Sequence, residues 1–494
     1  MIESIFSKIQ DFRNRLFRLL CSRADATMDL IDAAAAGGSS SSIVKLSLSS
    51  LFRRSYSSIT DVLDNFFRPS SNKTAEEQVL AITQLLAEKT PQPIGAFSLF
   101  AIDCTATPRI YAEKVADRST VHAPNHVPGQ KPITVGHEYS VVVHIPDEPA
   151  DRNCHWVIPL SVKRVASSES GPQVGLFQFR QIAMQTQFRN RLCVDVSDAA
   201  YSTGEWLAGI ADLPNAVHIA RLRGNRTLFR APKEIERRRG RPILYGDEVP
   251  LSAPSEPDEQ LERFEIVTRK GKRLVVKIVR WNDLLAKGPR DFKTHLHPFD
   301  VVRIIVTDEK GRPIYKRPLW LMIAGQRRKE ITSRQAFQAY CCRYDIEHFF
   351  RFGKQKLCLT SSQTCETSHE ENWLWISILA YTMLYHASSL AKETRHPWER
   401  KKVTVVTSKQ TPAMVQRDYE RIIRGIGTPA SIPKPRGKSP GRGEGVHGKR
   451  RKDQPLVRKV MGVQEKLKKR RPKKRNANPR VARRRMKRIW KNAS

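Results

Sequence analysis

Ala96-Phe-Ser-Leu-Phe-Ala-Ile-Asp103 is a nearly continuous apolar run that closes on an acid. A strand covered on both faces reads this way, because neither face needs polar residues. An aspartate at the end of such a run is costly unless it is paired, hydrogen-bonded or bound to a cation. Leu192-Cys-Val-Asp-Val-Ser-Asp198 repeats the pattern as a shorter strand. Asp195 falls inside that strand rather than at its end and ranks behind Asp198 as the functional acid. Between the two runs, His137 to Ile145 and Val157 to Lys163 read as strands, and Pro172 to Thr186 as a helix. Ser202-Thr-Gly-Glu205 has capping-box spacing, so a helix starts there, and Ala216 to Arg223 forms the next strand.

The resulting order, β-β-β-α-β-α-β, is that of an RNase H-like core: an α/β fold with a mixed sheet flanked by helices. Its neighbouring strands bring Asp103 and Asp198 to one edge. A helix carrying a third carboxylate should follow, yet a long strand-rich stretch intervenes. Phe264 to Thr268, Arg273 to Val279, Val301 to Val306 and Leu319 to Ile323 are its clearest strands. This stretch, residues 231–330, reads as an inserted β-domain. The core then occupies residues 91–230 and 331–400.

Tyr340-Cys-Cys-Arg-Tyr-Asp-Ile-Glu-His-Phe-Phe-Arg-Phe-Gly-Lys354 supplies the missing helix. Wound at about 100° per residue, Tyr340, Arg343, Glu347 and Lys354 fall within about 60° of one another. Cys342, Ile346, Phe349 and Leu357 collect on the opposite side as an apolar anchor. A single Arg343–Glu347 pair on a solvated face would explain two of the polar residues. The alignment of all four, downstream of two acid-ended strands, favours a functional face. Glu370 to Ala391 follows as a strongly apolar helix that closes the core.

The totals bound the partner. The chain has 494 residues, with 87 Lys and Arg against 49 Asp and Glu, a net charge of +38. That excess predicts a polyanionic partner. No apolar run reaches the length of a membrane span, and no secretory signal is read at the N-terminus. The eight cysteines have no C-x-x-C spacing, and the expectation is reduced thiols in a cytoplasmic, nucleoid-associated protein. Residues 1–90 read as helices carrying Arg13, Arg15, Arg18, Arg53 and Arg54, either a small DNA-contacting domain or a plain helical bundle. Residues 401–430 read as a linker and short helix. Residues 431–494 hold 25 Lys and Arg and three acids, and read as a disordered basic tail in which Pro479 to Lys491 could form a helix on binding.

Tyr340-x2-Arg343-x3-Glu347-x6-Lys354 resembles the Y-x2-R-x3-E-x6-K signature of the DDE transposases of bacterial insertion sequences, in the group with a β-strand insertion before the Glu helix. Asp103 in Phe-Ala-Ile-Asp-Cys-Thr and Asp198 in Val-Ser-Asp-Ala-Ala-Tyr-Ser-Thr resemble that family's two aspartates. Ile219-Ala-Arg-Leu-Arg-Gly-Asn-Arg226 resembles its following basic segment. The similarity spans roughly residues 95–390. The resemblance implies catalytic, metal-holding roles for Asp103, Asp198 and Glu347, with Mg²⁺ or Mn²⁺ as cofactor. It implies DNA contacts by Tyr340, Arg343, Lys354, Arg221, Arg223 and Arg226. The implied partners are transposon-end and target DNA duplexes, and the implied assembly is a homodimer.

Other candidates rank lower. Trp281 and Trp320 read as core, though Trp320 could stack on an unstacked base. His137, His295 and His297 read as ordinary histidines, since hard cations prefer carboxylates. Tyr111, Lys114 and Arg118 could line a DNA channel or be loop charges. The alternative functions are an inactive or repurposed DNA-binding protein on this scaffold and, from the tail alone, an RNA- or ribosome-associated protein.

Overall fold

The computed structural model describes residues 2–37, 42–67, 74–93, 95–123, 132–146, 155–232, 242–268, 271–392, 410–435, 441, 443–445 and 451–457. Residues 401–409 of the expected linker and the tail after Val457, including Pro479 to Lys491, lie outside the described residues.

The chain opens with helices α1 (Ile2–Leu19), α2 (Ala24–Ala36), α3 (Ser57–Asn65) and α4 (Ala75–Glu88). The first sheet strands follow: β1 (Ser98–Pro108), β2 (Ser119–His122), β3 (Ile133–Ile145) and β4 (Ile158–Val165). Next come α5 (Gly171–Ala183), β5 (Cys193–Ser197), α6 (Gly204–Ala211) and β6 (Ala216–Leu222). The short pair β7 (Thr227–Phe229) and β8 (Glu248–Pro250) precedes β9 (Glu262–Val267), β10 (Arg273–Leu284), β11 (Phe299–Asp308) and β12 (Leu319–Ala324). Helices α7 (Ser333–Cys342), α8 (Tyr344–Lys356), α9 (Thr367–Ala387) and α10 (Pro412–Ile426) complete the described elements.

Ten strands form one mixed sheet in the order β2-β3-β1-β5-β6-β12-β11-β10-β9, with β4 also paired to β3. Strands β1, β5 and β6 are parallel, and β3 runs antiparallel to β1. This is the RNase H-like arrangement expected from the chain order. Helix α5 is held by a capping box between Ser170 and Gln173. Helix α6 starts one residue later than the capping-box spacing suggests: Thr203 caps it by accepting from the Trp206 N–H at 3.3 Å, while the Ser202 hydroxyl turns back to the Ala199 carbonyl.

The strand-rich stretch continues this sheet instead of standing apart. Strand β12 pairs antiparallel with β6, in register from Trp320 opposite Leu222 to Ala324 opposite His218. Without β12, β6 would present an unpaired row of N–H and C=O groups at the sheet edge. The meander from β9 to β12 covers that edge and returns the chain beside the parallel strands. Gly325 then turns it towards α7 at φ 122°, where a Cβ would sit 2.4 Å from the Ala216 carbonyl oxygen. No larger residue fits that close approach.

The N-terminal helices share the core with the closing helix. Helix α9 is buried around most of its circumference, as Trp373, Trp375, Ile378, Leu379 and Leu384 require. It packs between β4 on one side and α2, α3 and α10 on the other. Asn372 donates to the Leu63 carbonyl at 2.7 Å, tying α9 to α3. The arginines read as possible DNA contacts are largely engaged here. Arg13 is 1% exposed and donates to both carboxylate oxygens of Asp32, at 2.6 and 2.7 Å. Arg53 and Arg54 both pair with the buried Asp29. Arg15 pairs with Glu88, and Arg18 stays at the surface.

Residues 451–457, the described end of the basic tail, are hydrogen-bonded to the core. The Gln454 and Val457 N–H groups donate to the Glu113 and Arg118 carbonyls, each at 2.8 Å.

Candidate active site

Strand β1 pairs with β3 from Leu99 to Pro108, including Asp103 opposite Val141. Its pairing with β5 ends at Ala101 opposite Val196. Beyond that point the sheet parts, and Asp103 faces the opening. It therefore lies in mid-strand, with β1 running on to Pro108, and the break in parallel pairing exposes its carboxylate. Asp198 directly follows the last residue of β5, as the sequence suggested. Its Oδ1 accepts the Ala200 N–H at 2.8 Å, an Asx turn that fixes the carboxylate at the strand end.

The third acid arrives on α8. A capping box of Thr332 and Gln335 starts α7. The helix expected without interruption over Tyr340 to Lys354 divides at Arg343. There the Arg343 N–H bonds the Tyr340 carbonyl at 3.1 Å and the Ile346 N–H bonds the Arg343 carbonyl at 3.2 Å, a tightened turn between two α-helices. The apolar stripe behaves as read: Cys342, Ile346, Phe349 and Leu357 are all buried. Phe349 packs edge-on against Tyr381 of α9, with ring centroids 4.8 Å apart. That packing turns Glu347 and Arg343 towards β1. Arg343 Nη2 donates to Glu347 Oε1 at 2.7 Å, and Nη1 reaches Asp103 Oδ2 at 3.5 Å.

Asp103, Asp198, Glu347, Arg343 and Tyr340 line one cavity of about 930 Å³. Arg221, Arg223, Arg303 and Arg317 line the same space. Lys354 lies across Asp103 and Asp198 from it, in a smaller cavity of about 340 Å³ that those two acids also line. Burial pushes the Asp103 carboxyl up to about 6, against the pull of Arg343 and the Cys104 N–H, and Asp198 and Glu347 add to the rise. Burial also lowers the Lys354 ammonium, opposed by Asp103.

Asp195, the rival acid, has its side chain in the core. It is fully buried, bonds His218 Nδ1 at 2.7 Å, and Trp206 stacks on that imidazole at 4.3 Å. Arg226 also points away from the cavity and donates to the Ser202 carbonyl at 2.9 Å. Trp281 is core, with its indole N–H on the Ser255 carbonyl. Trp320 is 5% exposed and forms part of the cavity wall beside it. His137 is a buried partner of Glu370. His295 and His297 do not line either cavity. Lys114 pairs with Asp453 and Arg118 donates to the Arg109 and Ile110 carbonyls, whereas Tyr111 is exposed. Arg303 and Arg317 were not anticipated. The signal for Arg303 was a lone charge in Val301-Val-Arg-Ile-Ile-Val306.

The donor set is all carboxylate oxygen, which suits a hard divalent cation. Burial and the nearby Asp198 and Glu347 charges oppose ionisation of Asp103, and Arg343 with the Cys104 N–H offsets this only in part. Among the described residues, no group of three His, Cys, Asp or Glu side chains converges closely enough to hold an ion. Arg343 stands between two of the three acids instead.

A family model described as DDE superfamily endonuclease matches residues 15–287. The match begins in α1, well before the span suggested by the sequence resemblance, and includes both aspartate-bearing strands; α7 and α8 lie beyond it. No curated protein matches the chain.

Proposed function

The chain belongs to the DDE superfamily of endonucleases, and on that premise we propose that it is a DNA transposase. It binds the end DNA of its element, hydrolyses a phosphodiester at each end, and joins the freed 3′-hydroxyl to target DNA. What carries the reading is one cavity lined both by Asp103, Asp198 and Glu347 and by Arg221, Arg223, Arg303 and Arg317. Phosphodiester chemistry needs both kinds of group: carboxylates to hold cations and arginines to hold the flanking phosphates.

In this reading Asp103, Asp198 and Glu347 hold Mg²⁺ or Mn²⁺. The bound ions would activate the attacking water or hydroxyl and stabilise the leaving oxygen. Arg221 and Arg223 grip the strand beside the cut, because both project from the end of β6 into solvent at the cavity wall. Lys354 approaches the same two aspartates from the smaller cavity, where its ammonium can hold a phosphate next to the reacting one. The partner is duplex DNA, and joining two ends calls for a homodimer on that DNA. Among the described residues no helix is long and apolar enough to cross a membrane.

The experiment is Mg²⁺-dependent cleavage of the DNA flanking the encoding element by the Glu347→Gln variant. Binding of that DNA should persist and cleavage should disappear. Cleavage that survives in the variant removes Glu347, and with it this reading of the site. DNA binding without cleavage by the unaltered protein would favour the repurposed DNA-binding alternative.

A further inference from the structure

One guanidinium joins β1 to α8. Arg343 reaches Glu347 at 2.7 Å and Asp103 at 3.5 Å, and its side chain is 16% exposed. Facing carboxylates repel unless a cation lies between them. The cation that lies there is Arg343. With Glu347 engaged this way, the acids that share the cavity do not converge on a common point. A guanidinium and a divalent ion cannot occupy the gap together, since they repel and compete for the same oxygens.

Arg343 also lines the arginine-rich cavity. A phosphate entering that space would offer the planar, paired acceptors that its fork now finds on carboxylates. The side chain sits at the tightened turn between α7 and α8, where rotation about its own torsions leaves both helices in place.

We propose that Arg343 is an exchangeable cation: in the free protein it bridges Asp103 and Glu347, and on DNA binding it moves to a phosphate and releases both carboxylates to a divalent ion. The inference rests on reading Asp103 and Glu347 as metal-holding residues. Metal loading is thereby coupled to DNA occupancy, and the coupling is reciprocal: whatever factor DNA adds to metal affinity, metal adds to DNA affinity. For a strongly basic chain that meets polyanions non-specifically, such coupling restricts a complete metal site to complexes in which a phosphate reaches Arg343.

The test is Mn²⁺ binding by the full-length protein, read from the loss of the free-ion electron paramagnetic resonance signal. Without DNA, Arg343→Gln should bind Mn²⁺ about tenfold more tightly than the unaltered protein. A short duplex, corrected for ions bound to the DNA alone, should tighten the unaltered protein by a similar factor and leave Arg343→Gln nearly unchanged. Arg343→Ala serves as the second variant, with a thermal melt to confirm folding. Equal Mn²⁺ affinity of the unaltered and variant proteins without DNA overturns the proposal. So does an affinity gain that survives when Glu347→Gln is added to Arg343→Gln. The cleavage assay of Glu347→Gln tests the underlying reading separately, so failure of the exchange alone is distinguished from failure of the metal site itself.

Discussion

Two arginine-rich regions of the molecule have opposite fates. In the N-terminal helices, Arg13, Arg53 and Arg54 end on Asp32 and Asp29, carboxylates that are themselves almost fully buried. Around the cavity, Arg221, Arg223, Arg303 and Arg317 make no ion pair with a carboxylate among the described residues, although Asp103 and Asp198 lie across the same space. In the first region charge is matched internally and serves the fold. In the second, Asp198 and the four arginines line one cavity without an ion pair among the described residues. Residue type does not separate the two cases; the presence of a built-in counter-charge does.

The largest expected consequence falls on the matched region. Arg13→Ala leaves Asp32 buried and unpaired apart from the Tyr419 hydroxyl at 3.2 Å. It should cost about 3–5 kcal/mol of stability, as the loss of one partner from a buried pair does. Denaturant unfolding would show this, while DNA affinity of the folded fraction stays unchanged. Arg53→Ala should cost less, because its side chain is 30% exposed and Arg54 also serves Asp29.

The unmatched region should behave the other way on losing a charge. The Asp103 carboxyl is held at about 6, above its ordinary value of 3.8. The fold therefore penalises the charged form. That penalty is absent below the unfolded value, grows as pH rises from about 4 to about 6, and is complete above. Asp103→Asn should then raise stability at pH 7 by on the order of 2 kcal/mol, with the gain vanishing at pH 4. A stability loss at pH 7 would mean that the carboxylate is paid for by partners within the fold. The smallest effect belongs to the cavity wall. Arg221→Ala or Arg223→Ala should leave the thermal midpoint unchanged and lower the salt dependence of DNA binding by about one unit of slope each.

How much of this was visible beforehand follows the range of the interactions. The α8 face was legible because helical periodicity is local: Cys342, Ile346, Phe349 and Leu357 went inside together. Asp198 was legible as a strand end for the same reason. The extended sheet was not, since the pairing of β12 with β6 joins segments far apart in sequence and leaves no local mark. The burial of Arg13 was hidden because Asp29 and Asp32 lie in a short Ala-rich helix, where nothing in the spacing says which arginine will reach them. Asp103 looked like a strand terminus, yet its exposure comes from the end of β5 beside it and not from the end of its own strand. The place of Arg343 between two acids depends on β1 meeting α8.

The most direct test of the site compares two aspartates three residues apart, Asp195 within β5 and bonded to His218 in the core, and Asp198 just past the end of β5 on the cavity wall. Each is replaced by Ala, and thermal midpoint and Mg²⁺-dependent DNA cleavage are measured for both. Asp198→Ala should lose cleavage by about 10³-fold or more with little change in midpoint. Asp195→Ala should lower the midpoint while the folded protein still cuts. Cleavage retained by a folded Asp198→Ala variant would contradict the assignment of this cavity as the catalytic site.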